Sequence, residues 1–289
     1  MEKKTFINLL SHTIATKGTE LHFAPGASPF MRVGGKLEKM NIPPIEPSEM
    51  KAILDDNNLL GNRDVKAQVL QAQGYVFSLA INGLGRFRVS IIPQRGTFSI
   101  TVRVLPFELP SLKDMNLPGS IQDIQSLNKG LVLVAGTKGT GKATVLAALV
   151  DYFNESRISR ISTIENPIEY LHSHKMCMVT QREIGADTGG FETALHSTKY
   201  EGADIVMVNE LPKTRESIML AVSVAEEKLV LASINTHGNS ENAKTYIEKI
   251  VNDESTLNLQ QFSFALRGFI HLREINGQIE SKIDVMNGE

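Results

Sequence analysis

A glycine-rich segment between an apolar run and a helical pattern constrains this chain most. The spacing G-x-x-x-x-G-K is met by Gly136, Gly141 and Lys142, after the apolar run at 131–135. Glycines let successive backbone N–H groups point at phosphate oxygens, and the following helix adds the positive end of its dipole. The segment predicts a phosphate-binding loop made of Gly136, Thr137, Lys138, Gly139, Thr140, Gly141 and Lys142. The alternative is a glycine-rich turn with an incidental lysine.

The residue after the loop lysine departs from the usual pattern. Ser or Thr at that position would place a hydroxyl on Mg²⁺, but the residue here is Ala143. Thr144 follows, yet one residue along a helix turns a side chain by about 100°. Its hydroxyl should therefore point away from the metal. We expect a loop that contacts a nucleotide, with Thr144 among the contacting residues, and that binds Mg²⁺ weakly.

Two carboxylates follow predicted strands. The apolar run at 205–208 ends at Asn209 and Glu210, and a second run at 158–164 ends at Glu165. Phosphoryl transfer needs a group that orients water, besides a phosphate cradle and a metal. Glu210 and Glu165 are therefore the candidate catalytic residues. The alternative for Glu210 is a helix-capping or surface glutamate, and for Glu165 an ordinary glutamate before a turn.

Charge and composition exclude several classes of protein. The formal net charge is −2, and no basic stripe interleaved with aromatic residues appears, so a DNA or RNA translocase is disfavoured and no nucleic-acid partner is expected. The single cysteine, Cys177, leaves no partner for an internal disulfide. The apolar runs fall short of the ~20 residues that a membrane span needs. His172, His174 and Cys177 lack a fourth ligand at a recognisable spacing, so we expect no metal site there.

The chain divides into a small α+β domain at 1–106, a linker at 107–119 and an α/β domain at 120–289. The first domain is expected to contain helices at 5–16, 48–56 and 62–72, a strand at 21–23, a hairpin at 30–40 turning at Gly34 and Gly35, and three strands within 75–104. The second is expected to contain strands at 131–135, 158–164, 176–179, 204–208 and 229–234, with helices at 142–155, 188–199, 213–226 and 240–252. Strand–helix alternation predicts a mainly parallel sheet.

Several segments, in order along the chain, resemble the type IV pilus retraction ATPases, the PilT type within the secretion-motor superfamily. They are ELHF at 20–23, MRVGG at 31–35, GRFRV at 85–89, QRG at 94–96, VRVLP at 102–106, TIENPIEY at 163–170, QREIG at 181–185 and LVLASINT at 229–236. The resemblance covers nearly the whole chain. Many spaced motifs in order are far more specific than one phosphate loop.

The resemblance implies a PAS-like N-terminal domain, a RecA-like ATPase domain and ATP bound between them. It also implies a cytoplasmic location, peripheral to the inner membrane at the pilus base. The expected partners are further copies in a hexamer, a competent pilus motor in a mixed ring, and the inner-membrane platform protein. Arginines that approach the phosphates would correspond to Arg86, Arg88, Arg95 and Arg103. Arg86 and Arg88 share a face of a strand; the alternative is that they solubilise an exposed sheet edge.

The chain departs from the family's pattern at several positions. They are Ala143, Asn166 for aspartate, His196 and Tyr200 for arginine, Asn209 for glycine, Pro212 for arginine and Asn235 for histidine. The sequence also ends at Glu289, before C-terminal helices that the resemblance implies, and weaker engagement of the pilus is expected from this. Two hypotheses remain: a ring ATPase that powers retraction, and an accessory subunit with weakened or lost hydrolysis.

Overall fold

The computed structural model describes residues 3–56, 65, 69, 74–105, 108–115, 117–236, 243–252, 256–275 and 277–286. The chain divides into two compact units, Met1–Phe107 and Glu108–Glu289. The first unit contains one hydrophobic core, and the second contains one on each face of its sheet. Among the described residues, none of the helices combines the length and the apolar character that a membrane crossing requires.

The first unit is a six-stranded sheet with the order β3-β2-β1-β6-β5-β4, and all its strand pairs are antiparallel. Its elements are α1 (Lys3–Ala15), β1 (Gly18–Phe23), β2 (Phe30–Val33), β3 (Lys36–Lys39), α2 (Pro47–Asp55), β4 (Tyr75–Ile81), β5 (Gly85–Gln94) and β6 (Thr97–Leu105). One face of the sheet packs against α1 and α2, because Leu21 and Phe87 join Phe6, Leu10 and Met50 in a single core. Period-2 alternation leaves polar side chains on the other face.

The predicted hairpin and the three predicted strands of the first unit are confirmed. Gly34 and Gly35 have φ of 55° and 81°, as a two-residue hairpin turn with both central residues at positive φ requires. The predicted helix at 62–72 lies outside the described residues, except for Val65 and Val69, which are helical and buried. Strand β5 lies between β6 and β4. The alternative that Arg86 and Arg88 solubilise a sheet edge is therefore wrong.

The second unit is a seven-stranded sheet with the order β13-β12-β7-β11-β10-β8-β9. Its elements are a 3₁₀ turn (Leu112–Asp114), α3 (Ile121–Gln125), β7 (Gly130–Gly136), α4 (Lys142–Ser156), β8 (Arg160–Glu165), β9 (Met178–Glu183), α5 (Phe191–Ser197), β10 (Ile205–Val208), α6 (Arg215–Ala225), β11 (Leu229–Asn235), α7 (Ala243–Val251), α8 (Thr256–Ala265), β12 (Leu266–Ile275) and β13 (Gln278–Val285). Among the strands that the structure describes in this unit, only β12 and β13 pair antiparallel, so the prediction of a mainly parallel α/β sheet is confirmed.

Strand β7 lies in the interior of this sheet, and all seven of its residues are buried. On one face Val132 packs with Leu146 and Phe153 of α4, and on the other Leu133 packs with Ile218 of α6. Burial on both faces explains the continuous apolar run that the sequence shows. Because β7 is fixed on both faces and by β11 and β12 at its sides, the loop that follows it starts from a rigid strand end.

Candidate phosphate-binding site

The loop after β7 folds as a glycine-dependent cradle. A Cβ atom on Gly136 would lie 2.6 Å from Thr140 Oγ1 and 2.7 Å from the carbonyl oxygen of Leu272, closer than any real Cβ contact. Gly139 and Gly141 have φ of 93° and 84°, which other residues rarely adopt. Thr140 Oγ1 donates a hydrogen bond of 2.9 Å to the carbonyl of Thr137, which closes the turn. The glycines that the sequence predicts to shape the loop are thus required by its geometry.

Lys142 is the first residue of α4, and its ammonium lies within the loop. Nζ donates a 2.6 Å hydrogen bond to the carbonyl oxygen of Thr137, and only 8% of the residue is exposed. Burial lowers the pKa of Lys142 below its ordinary value, and the negative charge of Glu210 opposes this shift. A cation beside a glycine-rich loop at a helix N-terminus suits a phosphate oxygen.

Ala143 and Thr144 follow the lysine in the first turn of α4. Ala143 carries no hydroxyl, whereas Thr144 Oγ1 lies 3.2 Å from the hydroxyl of Tyr170. Thr144 Oγ1 is also 4.0 Å from the place where a Cβ on Gly141 would stand. The hydroxyl of Thr144 therefore faces the loop glycine and Tyr170.

Glu210 follows β10 in a conformation that its neighbours hold. Its φ is 70°, in the left-handed region that costs free energy for a residue with a Cβ. The backbone N–H of Glu210 donates a 2.8 Å bond to Ser233 Oγ, and Ser233 Oγ in turn donates to Asn209 Oδ1 at 3.2 Å. Asn235 Nδ2 donates a 2.5 Å bond to Glu210 Oε1. Two residues of β11 thus orient this exposed carboxylate.

Glu165, at the end of β8, has a different environment. Only 3% of it is exposed, and its Oε1 accepts hydrogen bonds from Thr163 Oγ1 at 2.7 Å and from Gln181 Nε2 at 3.0 Å. Neutral donors on β8 and β9 therefore satisfy this buried oxygen. Asn166, which stands for the aspartate of the family's pattern, is exposed.

The described residues lack the metal-contacting hydroxyl of the usual loop pattern. They contain no group of three or more His, Cys, Asp or Glu side chains that could hold a metal ion. Ala143 has no oxygen where the loop pattern supplies a ligand. His174 Nδ1 accepts from the N–H of Val179, and Cys177 Sγ contacts the carbonyls of Phe153 and Arg157.

The four candidate arginines lie in the first unit. Arg86 and Arg88 are half-buried on β5, and Arg95 is exposed in the β5–β6 turn with φ of 46°. Arg103, on β6, donates through Nε and Nη2 to Glu20 Oε1 at 3.0 and 2.5 Å. Arg103 thus has a carboxylate partner within its own unit.

Glu20 is a residue that sequence reasoning missed. Its Oε2 accepts from Arg32 Nε at 2.8 Å. Burial raises the pKa of Glu20, but the hydrogen bonds from Arg103 and Arg32 outweigh it and lower the pKa to about 2. Arg32 lies in the predicted hairpin at 30–40, and Glu20 pairs with it from the neighbouring strand β1, so the hairpin was the only available signal. Ser233, Tyr170 and Gln181 were also missed as site residues, because their roles depend on contacts between separate elements.

The sequence is similar to those of known proteins over most of its length. Residues 3–259 match the family described as "Type II/IV secretion system protein". The type IV pilus ATPase PilU of Pseudomonas aeruginosa is 34% identical over 249 residues, covering 85% of this chain and 63% of PilU. The type IV pilus retraction ATPase PilT of the same organism is 30% identical over 284 residues, covering 97% of this chain and 81% of PilT. This chain thus spans less than two thirds of the length of PilU.

Solved structures show the same architecture. The crystal structure of the pilus retraction motor PilT with bound ADP superposes with a TM-score of 0.85 at 28% identity, covering 97% of this chain and 83% of that one. The Legionella pneumophila ATPase DotB superposes with a TM-score of 0.80 at 20% identity, covering 96% and 79%, which shows the fold alone. The match over residues 3–259 and the similarity to PilT over 97% of the chain establish that this protein belongs to the type II/IV secretion system protein family, among homologues of the pilus retraction motor.

Proposed function

We propose that this chain is an ATP-binding subunit of the type IV pilus machinery with weakened or lost hydrolysis. It acts as an accessory to the retraction motor or as a co-subunit of it. The observation that carries the proposal is Ala143, directly after an otherwise complete phosphate loop. The similarity to PilT of Pseudomonas aeruginosa, and to the crystal structure of a pilus retraction motor PilT with bound ADP, supports the nucleotide and the pilus as context.

The loop supports binding of the nucleotide phosphates. Thr140 and Leu272 approach Gly136 closely and fix the start of the loop, whereas nothing lies within 4 Å of a Cβ on Gly139, so the loop backbone there is open to an anion. In this proposal Lys142 exchanges its hydrogen bond to the Thr137 carbonyl for one to a phosphate oxygen. Burial strengthens such a charge-assisted bond, because the local dielectric is lower than that of water.

The surroundings of the loop support slow hydrolysis. No hydroxyl at position 143 is available to a metal, and Asn166 offers an amide in place of a carboxylate. Removal of one preorganised electrostatic group typically costs about 10²–10³ in rate. Losses of this kind are not additive, but several together are enough to bring turnover close to background.

Nucleotide binding is tested first, by calorimetry with ADP on the purified protein. Parent protein should bind, and Lys142→Ala should lose most of the affinity. Lys129→Ala is the matched control, because Lys129 is exposed and precedes β7 at the end away from the loop. Equal affinity of parent and Lys142→Ala would remove the loop from the proposal.

Hydrolysis is tested by phosphate release with ATP and Mg²⁺. The parent should release phosphate slowly or at background. The combined change Ala143→Ser, Asn166→Asp and Asn235→His should raise the rate at least tenfold. High turnover of the parent protein would contradict the proposed loss of hydrolysis.

A second candidate function is a fully active hexameric ATPase that powers retraction. The hydrogen bond from Asn235 to Glu210 favours it, because the carboxylate at the end of β10 still has an oriented geometry. In this case Glu210 orients the attacking water, and Glu210→Ala abolishes phosphate release. If Glu210→Ala were as active as the parent protein, Glu210 would have no role in catalysis.

We further propose the assembly that goes with these functions. The first unit is a PAS-like domain, and the chain joins a homo-hexamer or a mixed ring with a competent motor at the cytoplasmic base of the pilus, against the platform protein. Arg86, Arg88, Arg95 and Arg103 are nucleotide contacts in this proposal. Analytical ultracentrifugation of the protein, alone and mixed with a competent family motor, tests it: sedimentation as separate monomers in both samples would contradict it.

A further inference from the structure

The first turn of α4 contains one hydroxyl that is not bonded within the loop itself. Thr140 Oγ1 already donates to the Thr137 carbonyl, and Ala143 has no hydroxyl. Thr144, the third residue of the helix, has its Oγ1 3.2 Å from the hydroxyl oxygen of Tyr170. A threonine within a helix otherwise tends to donate to the carbonyl four residues earlier. The contact with Tyr170 offers Thr144 a partner outside its own helix instead.

Tyr170 is held in place through its backbone. Its carbonyl oxygen accepts a 2.8 Å bond from Gln181 Nε2, and the same amide nitrogen donates to Glu165 Oε1 at 3.0 Å. Gln181 Oε1 accepts from the N–H of His172 at 2.8 Å. One side chain of β9 thus fixes the chain on both sides of Leu171. The aromatic ring projects from a braced backbone, so its hydroxyl reaches α4 at a defined position.

The two hydroxyls together can donate one hydrogen to an anion. Each hydroxyl carries one donor hydrogen and two lone pairs, and their mutual bond consumes one hydrogen. When the phenol of Tyr170 donates to Thr144 Oγ1, the hydrogen of Thr144 is left for another acceptor. An ionised phosphate oxygen is an acceptor only, and Thr144 lies beside Gly141 of the loop. Hydrogen bonds in such a chain polarise and strengthen one another.

We propose that Tyr170 is a positioning residue of the nucleotide site: its hydroxyl donates to Thr144 and thereby directs the Thr144 hydrogen at a phosphate of the bound nucleotide. This inference rests on the proposed function, because the ligand is the nucleotide of the phosphate loop. It adds a residue that lies 28 positions beyond the loop lysine in the sequence, on a different segment.

The test compares ADP affinity in four proteins by calorimetry without added metal. Tyr170→Phe removes one oxygen and keeps the ring, and Thr144→Val removes the other hydroxyl at nearly the same volume. Each should weaken ADP binding by about three- to tenfold, the range for one hydrogen bond. The double variant should bind no more weakly than Thr144→Val alone, since Tyr170 acts through Thr144. Tyr200→Phe is the control, because Tyr200 is 91% exposed, and it should bind as the parent does.

Tyrosine fluorescence supplies a readout that a merely structural role would not change. The chain has five tyrosines and no tryptophan, so tyrosine emission is not masked. ADP should change the emission of the parent and of Tyr200→Phe, and the change should be absent in Tyr170→Phe and Thr144→Val.

Three results would overturn the inference. The first is ADP binding by Tyr170→Phe as tight as that of the parent protein. The second is additivity of the two substitutions in the double variant, and the third is an ADP-dependent emission change that persists in Tyr170→Phe. Absence of ADP binding by the parent protein is a separate outcome. It refutes the proposed function itself, and the role of Tyr170 with it.

Discussion

The amide of Asn235, at the end of β11, donates a 2.5 Å hydrogen bond to the carboxylate of Glu210, just after β10. Asn235 stands where the family's pattern has a histidine, yet it still presents a donor to this carboxylate. Unlike histidine, its amide does not titrate near neutral pH. The orientation of Glu210 at this contact is therefore independent of pH in that range.

Replacement of Glu210 should change the pH dependence of ADP binding, because its charge affects the pKa of Lys142. Burial lowers the pKa of Lys142, and the charge of Glu210 opposes this. In Glu210→Gln the opposing charge is gone, so the pKa of Lys142 falls further and its positive charge is lost at a lower pH. ADP affinity, measured by calorimetry from pH 7 upwards, should decline at a lower pH in Glu210→Gln than in the parent. Glu216→Gln, on the exposed first turn of α6, is the control, and an identical pH profile in parent and Glu210→Gln would contradict the prediction.

Gly136→Ala should disrupt the loop. The new methyl group would stand 2.6 Å from Thr140 Oγ1 and 2.7 Å from the backbone oxygen of Leu272, and a backbone atom of an adjacent strand cannot easily move away. We expect a loss of about 2 kcal/mol or more in unfolding free energy, typical of overpacking in a fixed site, and no measurable ADP binding. Gly189→Ala is the matched control, because nothing lies within 4 Å of the added Cβ. Denaturant titrations of the two variants check this, and equal stability would show that the strand ends adjust.

Ser233→Ala should release the strained backbone at Glu210. The Ser233 hydroxyl accepts from the N–H of Glu210 and donates to Asn209, and the residue is 1% exposed. Removal of both bonds leaves the N–H of Glu210 without this acceptor and Asn209 Oδ1 without this donor. The expected cost is about 1–3 kcal/mol in unfolding free energy. The exposed Ser223 on α6 provides the control variant Ser223→Ala, which should stay within about 0.5 kcal/mol of the parent. Urea unfolding measures both; equal midpoints for the two variants would show that the Ser233 bonds are not needed.

His172 should make stability depend on pH in the mildly acidic range. Burial lowers its pKa from 6.5 to about 4, with Asp151 opposing the shift and Lys175 adding to it. Between these values the unfolded chain binds more protons than the folded one, so the free energy of unfolding falls as pH drops from about 6.5 to about 4. The full effect is on the order of 3 kcal/mol, at about 1.4 kcal/mol per pKa unit. The free energy of unfolding, measured against pH, should therefore have a different slope in His172→Gln than in the parent across this window. His196→Gln, at an exposed position, should follow the parent. Parallel curves for His172→Gln and the parent would contradict the role of His172.

Glu20 should make stability depend on pH in a lower pH range than His172 does. Stability should again fall as pH drops. Arg103 and Arg32 outweigh burial and hold its pKa at about 2, below the ordinary 4.5. The stabilisation is present above pH 4.5 and is lost as pH falls through about 2, because the unfolded chain is protonated first. Glu20→Gln should lower the unfolding free energy at pH 7 by about 2 kcal/mol, the range for hydrogen bonds to charged groups. Glu38→Gln, exposed on β3, is the control. The gap between Glu20→Gln and parent should close towards pH 2; a gap that stays constant would contradict this account.

Local patterns in the sequence were enough for much of the fold. The apolar run of β7, the glycines after it and Lys142 at a helix start specify their own conformations, because each depends on neighbours within a few residues. The same holds for Gly34 and Gly35, whose positive φ angles define the β2–β3 hairpin. No prediction was made beyond residue 252, where β12 and β13 extend the sheet. Their packing partners, such as Ile124 beside Gly268, lie far away in the sequence.

Tertiary structure alone decided how the site residues meet. Sequence placed Glu210 after a strand, but only the parallel pairing of β10 with β11 brings Ser233 and Asn235 to it. Likewise, Arg103 was predicted as a phosphate contact, and its bond to Glu20 depends on the pairing of β1 with β6. The sequence by itself determined the conformation of the glycine-rich loop and the kind of sheet, since backbone conformation follows from residue type and spacing. Which side chains share hydrogen bonds was settled by strand order and register, which join segments distant along the chain.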